Sequence, residues 1–251
     1  MSNDLKILQK MTDKDVDNRQ SLVSHFKNTP IPDNEILSNL GLYHSRQSLS
    51  RILFMNEMYK KIIDVNGSVL EFGTRWGQNL ALFEMFRGIY EPYNYTRKII
   101  AFDTFAGFPS VHEKDGTASN VVEGAYNVTE NYEDYLQNVL SIHKQMNPIA
   151  HIQNIELVKG NAIHTFKKYL EDHPELIIAF AYFDFDIYEP TVECLKLAKD
   201  RLTPGSVLGF DELNHPNWPG ETVALREVFG TTRFKIIRSP YATYSTYLIF
   251  E

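Results

Sequence analysis

Apolar residues along this chain follow two different periods. Up to about residue 66 they recur every three or four positions. Between Ser45 and Val65, the residues Leu49, Ile52, Leu53, Met55, Met58, Tyr59 and Ile62 form one stripe of an amphipathic helix. Residues 1–66 carry no strand pattern, so the sequence predicts an N-terminal helical segment there, serving as a lid, an oligomer surface or simple packing. From Ser68 onward, short apolar runs alternate with amphipathic stretches. The runs predict strands near 68–72, 98–102, 154–158, 177–183, 205–210, 233–238 and 245–250, and the stretches predict helices near 77–90, 130–147, 161–172, 188–202 and 220–229. Such alternation implies an α/β fold with a doubly wound, mostly parallel seven-stranded sheet covered on both faces. The last two strands lack a helix between them, which predicts an antiparallel hairpin at one edge. The expected division is 1–66 and 67–251.

Composition narrows the field of functions. With 32 acids against 25 bases the net charge is -7, and no basic block interrupts the acidic balance, so the electrostatic footprint of a nucleic-acid binder is missing. A content of 43% apolar and 13% aromatic residues is ample for a sizeable core. The single cysteine, Cys194, lies on an apolar helix face and reads as a core thiol. The first twenty residues carry no apolar signal-like region, and no run approaches the ~20 apolar residues of a membrane span. The expectation is a soluble, cytoplasmic protein without a membrane partner, assembling as a dimer or larger homo-oligomer.

Chemistry gathers where the predicted strands end. The segment Gly67 to Asn79, GSVLEFGTRWGQN, is an apolar strand closing in Glu71, then Gly73, then Gly77 at the head of a helix whose free N–H groups would face a ligand. The next strand closes in Asp103, placed where nucleotide-binding α/β units use an acid on ribose hydroxyls. The same residues also suit a plain strand-turn-helix and a capping aspartate. Further along the rim come Gly160-Asn161, Asp184 with Asp186, and Asp211-Glu212. In extended chain, Asp184 and Asp186 would share a face. Several converging carboxylates repel one another unless a cation sits among them or some are protonated. With no cysteine nearby the cation would be a hard ion, Mg²⁺ first. His112, Asn214 and His215 lie in nearby loops, and the loop from Thr104 to about Thr129 is long enough to suggest function or mobility.

Three segments resemble the metal-dependent O-methyltransferases typified by macrocin O-methyltransferase. They are Glu71-Phe-Gly73-Thr-Arg75-Trp76-Gly77, Asp103-Thr104-Phe105-Ala-Gly107-Phe108-Pro109, and Asp184-Phe-Asp186-Ile-Tyr188-Glu-Pro-Thr191. The resemblance covers about residues 50–230. It implies a class I, Rossmann-like methyltransferase fold, S-adenosylmethionine as cofactor and Mg²⁺ as metal. Carried over residue by residue, it implies that Glu71, Gly73, Thr74, Asp103, Thr104, Phe105, Asn161, Ala162 and Asp184 hold the cofactor. Asp103 would serve the ribose and Asn161 the adenine. It further implies Asp184, Asp211 and Glu212 as metal ligands and Asp186 as base; by its place in a nearby loop, His215 is the next catalytic candidate. The chain departs from the family in having Asp211-Glu212 where Asp-Asp is usual, and in the loop from Leu213 to Glu221. The implied acceptor is a hydroxyl of a small molecule, a sugar first.

Other classes stay open at this point, a pure binding module among them, although a candidate base beside a metal site favours an enzyme. A metal-dependent glycosyltransferase also uses an Asp-x-Asp, to hold a nucleotide sugar. A dehydrogenase would want a tighter Gly-x-Gly-x-x-Gly, which this chain lacks.

Overall fold

The chain divides into two units, Met1–Arg51 and Ile52–Glu251, and the computed structural model describes residues 12–242 and 244–251. Residues 1–11 of the expected N-terminal helical segment lie outside the described residues.

In the first unit, α1 (Asp13–Lys27) starts at a reciprocal cap. The Thr12 hydroxyl accepts from the Asp15 backbone N–H at 3.3 Å, and the Asp15 carboxylate accepts from the Thr12 N–H at 2.9 Å. The short α2 (Asp33–Ile36) runs into a 3₁₀ segment, Leu37–Tyr43. Tyr43 folds back, donating its hydroxyl to Thr29 Oγ1 at 2.6 Å with its ring edge-on to Phe26. No residue of these three elements is buried. Next comes α3 (Arg46–Lys60), whose later residues Phe54, Met55, Met58 and Tyr59 are core residues of the second unit. The predicted stripe is therefore only partly the buried face: Leu49 and Leu53 are exposed, and Phe54 is buried instead.

The second unit continues β1 (Ser68–Phe72), α4 (Gln78–Tyr90), β2 (Ile99–Asp103), α5 (Tyr132–Met146), β3 (Ile155–Lys159), α6 (Ala162–Asp172), β4 (Ile178–Phe183), α7 (Tyr188–Lys199), β5 (Leu202–Phe210), α8 (Gly220–Val228), β6 (Ile237–Arg238) and β7 (Thr246–Ile249). The seven strands make one sheet in the order β3-β2-β1-β4-β5-β7-β6. The first five are parallel, and β7 pairs antiparallel with both β5 and β6. This is the class I methyltransferase, Rossmann-like arrangement that the alternation predicts, hairpin included. The strand expected at 233–238 shrinks to two residues because Phe234 turns inward, stacking on Phe250 at 5.5 Å and meeting Phe229 edge-on at 5.9 Å. Among the described residues no helix is long and apolar enough to cross a membrane.

Alternation along the strands sorts the core onto two faces. Leu70, Phe72, Ile100, Phe102, Ala181 and Phe183 face α6, α7 and α8, whereas Val69, Ile99, Ala101, Phe180 and Tyr182 face α3, α4 and α5. On the first face, Phe102, Phe72, Phe183 and Phe210 stack in a row across β2, β1, β4 and β5, with centroids 5.3, 4.8 and 5.3 Å apart. Their register partners are direct neighbours, so the row runs at right angles to the strands. Each contact adds about 0.5–1.5 kcal/mol beyond area burial. The row forms a rigid floor one residue before the strands open into the polar rim. Cys194 is fully buried, as its helix face predicts.

Candidate active site

The rim is assembled from the loops that follow β1, β2, β4 and β5. Each contains a non-glycine residue held at positive φ: Arg75 at 48°, Phe105 at 55°, Asp186 at 62° and Asn214 at 64°. Such backbone costs about 1–3 kcal/mol per residue and persists only where the surroundings enforce it.

Asp103 is one enforcer. Its Oδ2 accepts from the Arg75 N–H at 2.7 Å and its Oδ1 from the Phe105 N–H at 2.6 Å, so one carboxylate pins the loops after β1 and β2 together. Burial raises its pKa, and the N–H donors of Arg75, Phe105 and Thr74 pull it back. Asp103 is thus a structural clasp between the two loops. In the loop after β1, Gly73 (φ 90°) lies against the Asp184 carbonyl, and Gly77 (φ 75°) heads α4 against the Leu136 side chain. The absent side chain at Gly73 therefore accommodates the neighbouring β4 exit. Two polar atoms here fit a bound cofactor. The Thr74 hydroxyl and Asn79 Oδ1 are buried without a hydrogen-bond partner among the described residues, and no side chain caps the N-terminus of α4. Glu71 is buried in β1 beside Tyr182. Thr104 spends its hydroxyl within its own turn, donating to Gly107 O and accepting from Ala106 N–H. Asn161 caps α6 through the Ile163 N–H at 3.0 Å, and Ala162 is the first, buried residue of that helix.

The carboxylates share one electrostatic field. Asp186 is raised well above the ordinary carboxylate range by burial first, then by Glu212, Asp184, Glu221 and Asp211. The left-handed backbone at Asp186 overturns the expectation that it shares a face with Asp184 by strand alternation; the two act on each other through space instead. Glu221, fully buried at the start of α8, is likewise pushed up by burial, then by Asp184, Asp211 and Glu212. Its oxygens accept from the backbone N–H groups of Asp186 and Glu212, which ties the β4 exit to the β5 exit. Asp211 Oδ1 accepts from Tyr182 OH at 2.8 Å and Ser245 Oγ at 3.2 Å. Among the described residues no three His, Cys, Asp or Glu side chains form a group able to hold a metal ion. The set fits a hard divalent ion by the chemistry of its all-oxygen donors, and ligation would require the side chains to draw together.

His215 fits a base poorly. Its Nδ1 accepts from the Asn217 N–H at 3.2 Å, so the neutral ring carries its proton on Nε2 and presents a donor. Burial lowers its pKa, which keeps the ring neutral.

Sequence reading missed the residues that fold the long loop after β2 onto the rim. Buried Asp115 accepts from the His112 N–H at 2.7 Å and from the Tyr188 N–H, the first of α7, at 2.5 Å. Phe108, Tyr126 and Trp218 pack into a small apolar cluster with Ile187 and Phe185. Tyr126 is lifted above the usual phenol range by burial, then by Asp186 and Glu212, which places it beside the acids. Glu221 was also missed, because an acid in the first turn of a helix ordinarily signals nothing beyond a favourable dipole.

No protein-family model matches the chain, and no curated protein matches it by sequence. Solved structures do. CalS11, a calicheamicin methyltransferase, superposes with a TM-score of 0.94 at 37% identity over 100% of this chain and 98% of its own. The apo structure of CalS11, described as a TDP-rhamnose 3'-O-methyltransferase of calicheamicin biosynthesis, gives 0.85 and 35% over 98% and 99%. The O-methyltransferase NovP, at 16% identity and 0.61 over 93% of this chain and 98% of its own, shares the fold. The glycosyltransferase reading of Asp184 and Asp186 finds no support in these relatives.

Proposed function

This chain belongs to the S-adenosylmethionine-dependent O-methyltransferases, and from that premise we propose that it methylates a sugar hydroxyl, on a nucleotide-linked sugar, with Asp186 as base and Mg²⁺ as a second requirement. The acceptor class rests on full-length kinship with an enzyme described as acting on TDP-rhamnose. The base rests on the observation that carries the mechanism: Asp186 sits in the field of four other carboxylates, which with desolvation hold it well above the ordinary carboxylate range.

Bound S-adenosylmethionine supplies an electrophilic methyl on a positively charged sulfur. With the cofactor bound, a C–O bond would replace its C–S bond and leave a neutral thioether, and the Asp186 carboxylate would take the acceptor proton. Alignment is the chief contribution of the protein. Asp103 fixes the two cofactor-side loops, Thr74 and Asn79 offer buried polar atoms, and the phenylalanine row keeps the strand ends from shifting. Glu71, Gly73, Asp103, Thr104, Phe105, Asn161, Ala162 and Asp184 make up the proposed cofactor side, with Asp103 and Asn161 at the ribose and adenine ends. Asp184, Asp211 and Glu212 are the proposed ligands of Mg²⁺, which would supply positive charge to the acceptor oxygen. Glu221 keeps Asp186 and Glu212 at a fixed spacing by binding both of their N–H groups.

Incubation with methyl-labelled S-adenosylmethionine and a panel of TDP-linked sugars, free sugars and small phenols tests the reading. Label in a TDP-sugar, located on a ring hydroxyl by mass spectrometry, is the expected result. Label confined to phenols would overturn the acceptor class.

A further inference from the structure

Arg75 stands in the loop after β1 at φ 48°, a backbone angle that glycine or asparagine adopts with less strain. Its backbone supplies the N–H that Asp103 holds, and any residue but proline would supply the same. The arginine side chain therefore needs its own reason. Its guanidinium lies 5.0 Å from the centroid of the Tyr126 ring and 5.7 Å from that of Trp76, so two aromatic faces position its plane. Nε is buried without a hydrogen-bond partner, and the guanidinium makes no ion pair among the described residues. The lysine of the long loop after β2, Lys114, is taken by Glu227 at 2.7 Å.

Tyr126 links this cation to the reacting end of the site. Its ring meets Arg75, and it sits in the field of Asp186 and Glu212. An anionic acceptor approaching those acids meets strong repulsion, and a fixed cation at the edge of the cluster offsets it. A planar, ring-held guanidinium whose buried Nε–H has no partner suits the paired oxygens of a phosphate.

We propose that Arg75, set between Trp76 and Tyr126, is the binding residue for the diphosphate of a nucleotide-linked acceptor. The proposal rests on the acceptor class given above. Its test is calorimetric titration of thymidine diphosphate into the protein saturated with S-adenosylhomocysteine, comparing the unchanged chain with Arg75→Met and Arg75→Lys. Methionine keeps an unbranched apolar stem between the rings, and lysine keeps the charge without the fork. Arg75→Met is expected to weaken thymidine diphosphate binding by about tenfold or more, with Arg75→Lys in between and S-adenosylhomocysteine affinity within about twofold of the parent. Equal affinity of all three for thymidine diphosphate overturns the assignment. So does a loss of S-adenosylhomocysteine affinity alone, which would place the cation on the cofactor's carboxylate. Methyl transfer reads the other hypothesis separately. A parent that binds thymidine diphosphate through Arg75 yet methylates no sugar refutes the acceptor reaction and keeps the anion site. A parent that methylates TDP-sugars while Arg75→Met binds thymidine diphosphate undiminished refutes Arg75 and keeps the reaction.

Discussion

Gly73 has only hydrogen where Asp184 places its carbonyl oxygen. A β-carbon on Gly73 would overlap that oxygen, and the backbone there has φ 90°. The relationship makes Gly73 a spacer between the exits of two neighbouring strands. Gly73→Ala is expected to destabilise the fold by about 2–4 kcal/mol, through combined overlap and left-handed strain. At Gly77 the opposing atoms are the flexible end of Leu136, so Gly77→Ala should cost about 1–2 kcal/mol. Urea denaturation of both variants checks the order.

Asp103→Ala removes a carboxylate that serves two loops at once. S-adenosylhomocysteine affinity should fall by about 1.5–3 kcal/mol, the scale of hydrogen bonds to a charged group. Unchanged affinity in a variant that remains folded would confine Asp103 to its clasp role.

Asp186→Asn preserves shape and removes the proton acceptor. Turnover should drop by about 10² or more while cofactor affinity stays near that of the parent. Near-normal turnover would remove Asp186 from the chemistry. His215 would be a weak replacement, since its Nδ1 is already engaged by Asn217.

A chelator in excess should abolish methyl transfer and added Mg²⁺ should restore it, with S-adenosylhomocysteine binding retained. Full activity in chelator would remove Asp184, Asp211 and Glu212 from any metal role.

Asp115→Ala should release the loop after β2 from the start of α7, because both of its carboxylate oxygens lose their N–H partners. Limited proteolysis between residues 104 and 129 is expected to speed up severalfold, accompanied by a higher KM for the acceptor. Identical cleavage would assign the loop's order to Phe108, Tyr126 and Trp218 instead.

The sheet was legible because its signal is local. Runs such as Val69 to Phe72 and Ile178 to Phe183 are apolar at every position, and a strand buried on both faces needs that. Asp103, Asp184 and Asp211 were legible by their place at strand ends. Glu221, Asp115 and Tyr126 were not, since their importance comes chiefly from partners distant in the chain, 35 residues away for Glu221 and 73 for Asp115, that no local window contains. The geometry of Asp186 was misread for a related reason: alternation presumes extended chain, and the exit from β4 is bent by its tie to Glu221. For the last strands, Phe234 carried a strand-like pattern that tertiary packing with Phe229 and Phe250 overrode.

Four of the left-handed residues at the rim also bear on how this protein would respond to selection for heat resistance. Arg75, Phe105, Asp186 and Asn214 each occupy backbone that glycine would occupy with less strain. Variants recovered from a thermal screen would accordingly gather at these positions as well as in the helices. Gains at the helices would leave turnover untouched, whereas gains at the rim would come with lost methyl transfer, because the strained backbone is what aims these side chains. The map of where heat-resistant variants lose activity would thus trace the working edge of the sheet without any ligand being known.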